Sequence, residues 1–255
     1  MIYISLDSYT RDDIERICEL PQVHGVLLGD LFCQRRMFEG GAPELWKLAK
    51  NLTAARKRVI YQTPFYLTER YYEGELLQIR SLAQSDILHG LIVQDIGLLD
   101  EVNQMKRKGM LPNLSLIWNC IAIGRSRTSN ALYYQTVAEL GADFIETADT
   151  NVYRALQDGG FHPVYVDGRM QYRTMNRECF YKYQNNIFDH HCDRRCLSDQ
   201  QWLVAENGEF RMSVDGHVLG KTYLYDNDPE ILQKAQDIFL YAKDLDDATG
   251  RLGSF

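Results

Sequence analysis

Short runs of apolar, β-branched and aromatic residues recur along the chain. Longer stretches separate them, in which apolar positions return every three or four residues. The runs at 2–6, 25–28, 58–62, 90–94, 115–118, 143–146 and 162–166 predict strands. They are continuous rather than alternating, as strands covered on both faces are. The stretches between them, 10–20, 43–57, 68–85, 97–108, 129–140 and 150–157, carry helical spacing. Thr10 ahead of Arg11-Asp12-Asp13, and Asp149 or Thr150, offer side-chain caps for helix starts, while Gly109, Gly141 and Gly159 mark stops.

Alternating strands and helices imply parallel strands joined by right-handed crossovers. Seven such units with no glycine-rich dinucleotide fingerprint after the first strand predict an α/β fold. The form expected is a (β/α)8-type barrel, incomplete or distorted, rather than an open doubly wound sheet. The repeat breaks after Val166. From 167 to about 201 the chain is polar, aromatic and cysteine-bearing without a clean period. So long an irregular stretch inside a compact domain calls for a function or a metal. Short strands are expected at 202–205, 209–214 and 218–225, with Asn207-Gly208 and Asp215-Gly216 as turns. A last helix is expected over 229–244, with a frayed tail beyond Ala248. The chain, 1–255, thus reads as one barrel-like domain with a cysteine-bearing segment, 167–201, inside it.

Composition narrows the function classes. A net charge of -7 argues against a dedicated nucleic-acid binder, which needs positive potential to hold phosphates. The first residues carry no basic region and no long apolar core of a signal peptide, and no window is apolar enough for a membrane span. A cytoplasmic location is the expectation. In that reducing compartment the six cysteines suggest metal ligands or buried thiols rather than disulfides.

Cys179, Cys192 and Cys196 sit in the irregular segment as C-x12-C-x3-C. Thiolates ligate both zinc and iron–sulfur clusters, and a loop lets them converge without distorting regular structure. A fourth ligand is missing, and Cys33 suits best, because it follows a strand at the end where a barrel collects its functional residues. Cys120, ending the strand beside Trp118 and Asn119, is the reserve. Cys18 shares a helical apolar face with Ile14 and Ile17 and reads as core. His190 and His191 are either solvated or second-layer donors, with zinc ligation beside Cys192 and Cys196 as the alternative. Arg35-Arg36 and Arg194-Arg195 flank the thiols, where guanidinium groups would offset the charge of an anionic cluster.

The predicted strands end in Gln62-Thr63, Gln94-Asp95, Asn119, Glu146-Thr147 and Asp167 to Arg169. In a barrel such residues face the mouth. Asp95, Asn119, Arg169 and Arg177 are the candidate substrate-binding set for a small molecule, with the two arginines as anion anchors. No Ser-His-Asp signature, HExxH helix, Walker loop or GxGxxG is present, and no catalytic residue is assigned.

Several segments together carry a resemblance. Residues 91–97, Leu-Ile-Val-Gln-Asp-Ile-Gly, resemble a strand end of the U32 (collagenase-like peptidase) family. Ser129-Asn130 followed by Glu139-Leu140-Gly141-Ala142 is similar to that family's next helix, and Val166-Asp167-Gly168-Arg169 with Arg177-Glu178-Cys179 resembles the stretch opening its cysteine region. Residues 26–36 and the C-x12-C-x3-C spacing resemble its UbiV-like members, and the likeness covers roughly 1–225. The resemblance implies a barrel-like α/β fold and a 4Fe-4S iron–sulfur cluster, carried over onto Cys33, Cys179, Cys192 and Cys196, with zinc as the alternative. It also implies a heterodimer with a homologous UbiU-like subunit, supporting oxygen-independent hydroxylation in ubiquinone biosynthesis or on another substrate. Related members hydroxylate RNA bases with prephenate as oxygen donor. The motif of members with assigned peptidase activity is only partly present: Gly168 and Cys179 align, but Asp167 stands in place of a histidine.

Overall fold

A computed structural model describes residues 1–29, 42–64, 69–119, 131–171, 174–175, 201–204, 211–215, 218–219, 222–224, 228–253 and 255. The chain opens with β1 (Ile2–Leu6), α1 (Arg11–Glu19), β2 (Val23–Leu28), α2 (Ala42–Ala54), β3 (Arg58–Gln62) and α3 (Glu69–Gln84). It continues with β4 (Gly90–Val93), α4 (Ile96–Arg107), β5 (Ser115–Asn119), α5 (Ala131–Glu139), β6 (Phe144–Thr147), α6 (Thr150–Asp158) and β7 (Pro163–Asp167). Six short strands follow: β8 (Arg169–Gln171), β9 (Thr174–Met175), β10 (Gln201–Val204), β11 (Arg211–Asp215), β12 (Val218–Leu219) and β13 (Thr222–Leu224). The described chain closes with α7 (Pro229–Lys234), β14 (Ile238–Ala242) and α8 (Leu245–Leu252).

Eight strands form a closed parallel barrel in the order β1-β14-β7-β6-β5-β4-β3-β2. The expected (β/α)8 fold is therefore present, and it is complete. Local signals act where expected. Thr10 and Asp13 form a reciprocal capping box at the start of α1, and Asp149 accepts from the Asn151 and Val152 amides to start α6. One apolar layer fills the barrel: Tyr3, Leu27, Ile60, Ile92, Ile117, Val164, Val166 and Phe239. A larger cluster packs the outer faces of the strands against the helices, including Ile4, Val26, Leu91, Val93, Leu98, Leu99 and Trp118.

Three expectations are corrected. The region expected as one helix over 229–244 is a short helix, α7, followed by β14, the eighth barrel strand. Asp228 caps α7 and Pro229 occupies its first turn, so the helix signal is real. It ends at Ala235, and the apolar run Ile238 to Ala242 pairs with both β1 and β7. The tail beyond Ala248 belongs to α8, which buries Leu245, Ala248 and Leu252 at helical spacing behind the Asp244 cap. The segment expected to be irregular over 167–201 contains β8 and β9. β8 pairs with β13, and β9 joins β12, β11 and β10 in a small sheet. β8 and β9 are too short to carry a periodic signal, whereas β10 to β13 fall where short strands are expected, at 202–205, 209–214 and 218–225. All six lie between the seventh and eighth strands of the barrel.

Candidate functional site at the carboxyl end of the barrel

Period-two alternation decides which strand-end residues face the barrel axis. Two residues beyond the inward Tyr3, Ile60, Ile117, Phe144 and Phe239 lie Ser5, Gln62, Asn119, Glu146 and Tyr241. These five build a polar layer on top of the apolar one, at the carboxyl ends of the strands. Glu146 and Asn119 are fully buried, Gln62 and Ser5 are buried, and Tyr241 keeps partial exposure.

Gln62 Nε2 donates to the Tyr241 hydroxyl across 3.3 Å, linking β3 to β14 through the interior. Neither carboxyl oxygen of Glu146 has a hydrogen-bond partner. Burial alone pushes its pKa up from 4.5 to about 8, so at neutral pH most of the population keeps the proton. Burial also raises the Tyr241 phenol well above 10.0, and the charge of Glu146 raises it further. The two groups therefore sense one another. A buried acid that titrates near neutrality, next to a phenol and an amide, can move a proton or act as a neutral hydrogen-bond donor.

The neighbouring strand-end residues serve the frame. Thr63 donates its hydroxyl to Ile92 O at 3.0 Å, and Thr147 Oγ1 accepts from the Asp149 amide at 3.1 Å. Asp95 caps α4, accepting from the Leu98 amide at 2.9 Å. Asp167, expected at the mouth, faces the helix layer: its Oδ2 pairs with Arg251 of α8 at 2.6 Å. The same guanidinium donates to Tyr241 O at 2.8 Å, so it clamps β7 to β14 directly behind the tyrosine. Gly168 makes this crossing possible. Its φ is +79°, and a Cβ there would meet Tyr241 O at 2.3 Å. At the end of β2, Gly29 does the same against Gln62 O, at φ +119°.

Of the expected substrate-binding residues, Asn119 lies in the polar layer and Asp95 at a helix cap beside the rim. Arg169 begins β8, its backbone paired with Leu224. Arg177 lies outside the described residues, as do Cys33, Cys120, Cys179, Cys192, Cys196, the His190-His191 pair and the arginine pairs at 35–36 and 194–195. Cys18 is partly buried against the outer core, as expected. Among the described residues no group of three or more His, Cys, Asp or Glu is placed to hold a metal. No helix among them is long and apolar enough to cross a membrane. Sequence reasoning placed Glu146 at the rim but did not single it out, though its alternation with Phe144 points it inward. It missed Tyr241 because β14 was read as helix.

No protein-family model matches the chain, and no curated protein does. Solved structures do. The U32 peptidase Mk0906 is 13% identical, with 95% of this chain and 92% of that chain covered and a TM-score of 0.56. An HpcH/HpaI aldolase from Desulfitobacterium hafniense DCB-2 is 9% identical over 99% of this chain and 89% of its own, with a TM-score of 0.51. A 2,3-dimethylmalate lyase of the PEP mutase/isocitrate lyase superfamily is 8% identical over 66% and 67%, with a TM-score of 0.50. These likenesses establish the (β/α)8 barrel.

Proposed function

We propose that the chain is a U32-type barrel enzyme that carries a 4Fe-4S cluster and takes part in oxygen-independent hydroxylation of a small molecule. The observation that carries an enzymatic reading is the buried layer of Glu146, Tyr241 and Gln62 at the carboxyl end of the strands. A scaffold barrel is better served by an apolar layer there, since an unpartnered buried acid only costs stability. In barrel enzymes this end is the one that reacts.

The cluster reading rests on the resemblance and on the donor set. Four thiols, Cys33, Cys179, Cys192 and Cys196, are what such a cluster takes, whereas no described residues form a competing metal group. Cys33 follows β2 in the chain and the other three follow β7, and these parallel strands both end at the carboxyl rim. A bound cluster supplies one-electron transfer. The chain's own residues supply a proton-bearing carboxyl, a phenol and an amide at the carboxyl end of the strands. A homologous UbiU-like subunit is the partner this reading implies, and the cytoplasm its compartment.

Anaerobic purification should give a brown protein with about four iron and four sulfide per chain. Cys33→Ala and Cys179→Ala should each lower both contents. A colourless protein holding zinc would overturn the cluster and leave a structural metal in its place. RNA that gains one oxygen in mass only when the gene is present would move the substrate from a small molecule to an RNA base. A peptidase reading has behind it a neighbour's name and a partial motif that lacks its histidine, and the sequence offers no nucleophile–base motif and no protease metal motif.

A further inference from the structure

We infer that the cleft between the α3–β4 and α4–β5 turns, at the amino end of the barrel, binds a small organic cation with an apolar body, an arylalkylammonium. The site lies at the opposite end of the strands from the carboxyl mouth. It rests neither on the cluster nor on the mouth being the active site.

The cleft stands where the last turns of α3 and α4 lead into two adjacent strands, β4 and β5. Its volume is about 480 Å³. Small-molecule sites occupy about 300–1,000 Å³. Leu88, Leu111 and Leu114 form the floor, buried in the outer core rather than in the barrel interior. Gln84, Asp86 and Asn113 stand exposed on the rim. Hydrogen bonds across three strands hold the floor in place. The His89 amide donates to Val59 O at 2.8 Å, and the Ser115 amide to His89 O at 3.0 Å. The Val59 amide donates in turn to His89 Nδ1 at 3.2 Å. An apolar floor under a polar rim, fixed by the frame, is how a preformed ligand pocket is built.

Charge selects the ligand. No lysine or arginine lines the cleft, and Asp86 is its one carboxylate. No ion pair among the described residues involves Asp86. His89 does not neutralise it, because burial and then the Arg58 charge hold the imidazole below its usual 6.5 despite the neighbouring Asp86. The carboxyl end of α3 adds the partial negative charge of its dipole, with no basic residue in its last turn. At the end of α4, Lys106 is drawn off to Asp143, and Arg107 lies outside the lining. The floor therefore suits an apolar body and the rim a positive head. A bare divalent ion fits less well, since it takes several oxygen ligands and the cleft offers one carboxylate. An anion would meet repulsion from both Asp86 and the helix end.

The test is ligand-observed NMR on the full-length, anaerobically purified protein at neutral pH. The probes are phenethylammonium and tryptammonium, with 2-phenylethanol and 3-phenylpropionate as neutral and anionic counterparts. At least one cation should bind, about tenfold more tightly than the anion. Asp86 has φ +52°, a backbone that asparagine also adopts, so Asp86→Asn removes the charge and keeps the turn. It should weaken cation binding about threefold or more, as should Asn113→Arg, which adds a like charge at the rim. Ala83→Phe fills the cleft from α3 and should abolish binding. Thermal unfolding of each variant separates lost binding from lost fold, and Asn113 is exposed, so its variant keeps the fold whatever Ala83→Phe does. Binding by neither cation would overturn the inference. So would an alcohol or an anion that binds as tightly as the cations, or cation binding untouched by Asp86→Asn and Asn113→Arg. Cation binding lost in Glu146→Gln but kept in Asp86→Asn would place the ligand at the carboxyl mouth and overturn it too.

Discussion

Two buried titratable side chains occupy opposite ends of the same barrel, and their surroundings could hardly differ more. At the amino end, Lys57 precedes β3 and is 7% exposed. Its ammonium donates to Leu20 O at 2.6 Å and Val23 O at 2.8 Å, which ties the turn after α1 to the start of β3. At the carboxyl end, Glu146 is fully buried and has no partner for either oxygen. Burial acts against the charged form of both, lowering the lysine pKa and raising the glutamate to about 8. Only the lysine is compensated by hydrogen bonds. The amino end of this barrel is organised for stability, and the carboxyl end keeps an uncompensated group that lowers it.

The sharpest way to break that division is to show that the carboxyl end is also held structurally where it is partnered. Arg251→Ala leaves Asp167 charged, 1% exposed and alone. Removing one member of a buried pair costs about 3–5 kcal/mol. At roughly 2–4 °C per kcal/mol for a chain this long, thermal unfolding should fall by about 10 °C. A loss under 2 °C would mean the clamp contributes nothing. Next in size is the pH dependence of Glu146. Its folded pKa lies above its unfolded value, so between 4.5 and about 8 the folded state binds the extra proton. The stability it contributes is fully present below the unfolded pKa and is lost as pH rises through the folded one. Denaturant unfolding at pH 5 and pH 8 should show the wild type losing on the order of 4 kcal/mol relative to Glu146→Gln, at about 1.4 kcal/mol per unit. An equal pH response in both proteins would show that Glu146 is solvated or partnered.

At the other end, Lys57→Met leaves the carbonyls of Leu20 and Val23 without their donor, and a loss of about 2 kcal/mol is expected. Neither group's environment was readable from the sequence, although much of the frame was. Six helices and the first seven strands were legible because continuous apolar runs alternate with 3.6-period stretches, and because Thr10 and Asp149 cap as their chemistry demands. β14 was not, because Asp228 and Pro229 start a helix whose end at Ala235 has no glycine to announce it. Losing that strand hid Tyr241, the phenol of the polar layer. Asn119 and Glu146 were visible as polar strand ends, but the same rule also admitted Asp95 and Asp167. Only the phase of each strand, and the position of Arg251 across the barrel wall, sends those two carboxylates to a helix cap and an ion pair.

The smallest effect carries the opposite sign, which makes it the most discriminating. Glu146→Met exchanges an unpartnered carboxyl for an apolar side chain of similar volume, directly above Phe144, Ile117 and Phe239. A buried polar group without a hydrogen bond costs about 1–3 kcal/mol, so relieving it should raise stability by about 1 kcal/mol after some misfit of packing. Thermal unfolding should rise by about 2–4 °C at pH 7. Lys57→Met, the same kind of exchange at the other end of the barrel, should lower it. If both substitutions destabilise, Glu146 has a partner that holds it in the folded protein, and the contrast between the two ends fails. If Glu146→Met stabilises, the carboxyl does nothing for the fold, and the two ends of the barrel differ as their surroundings indicate.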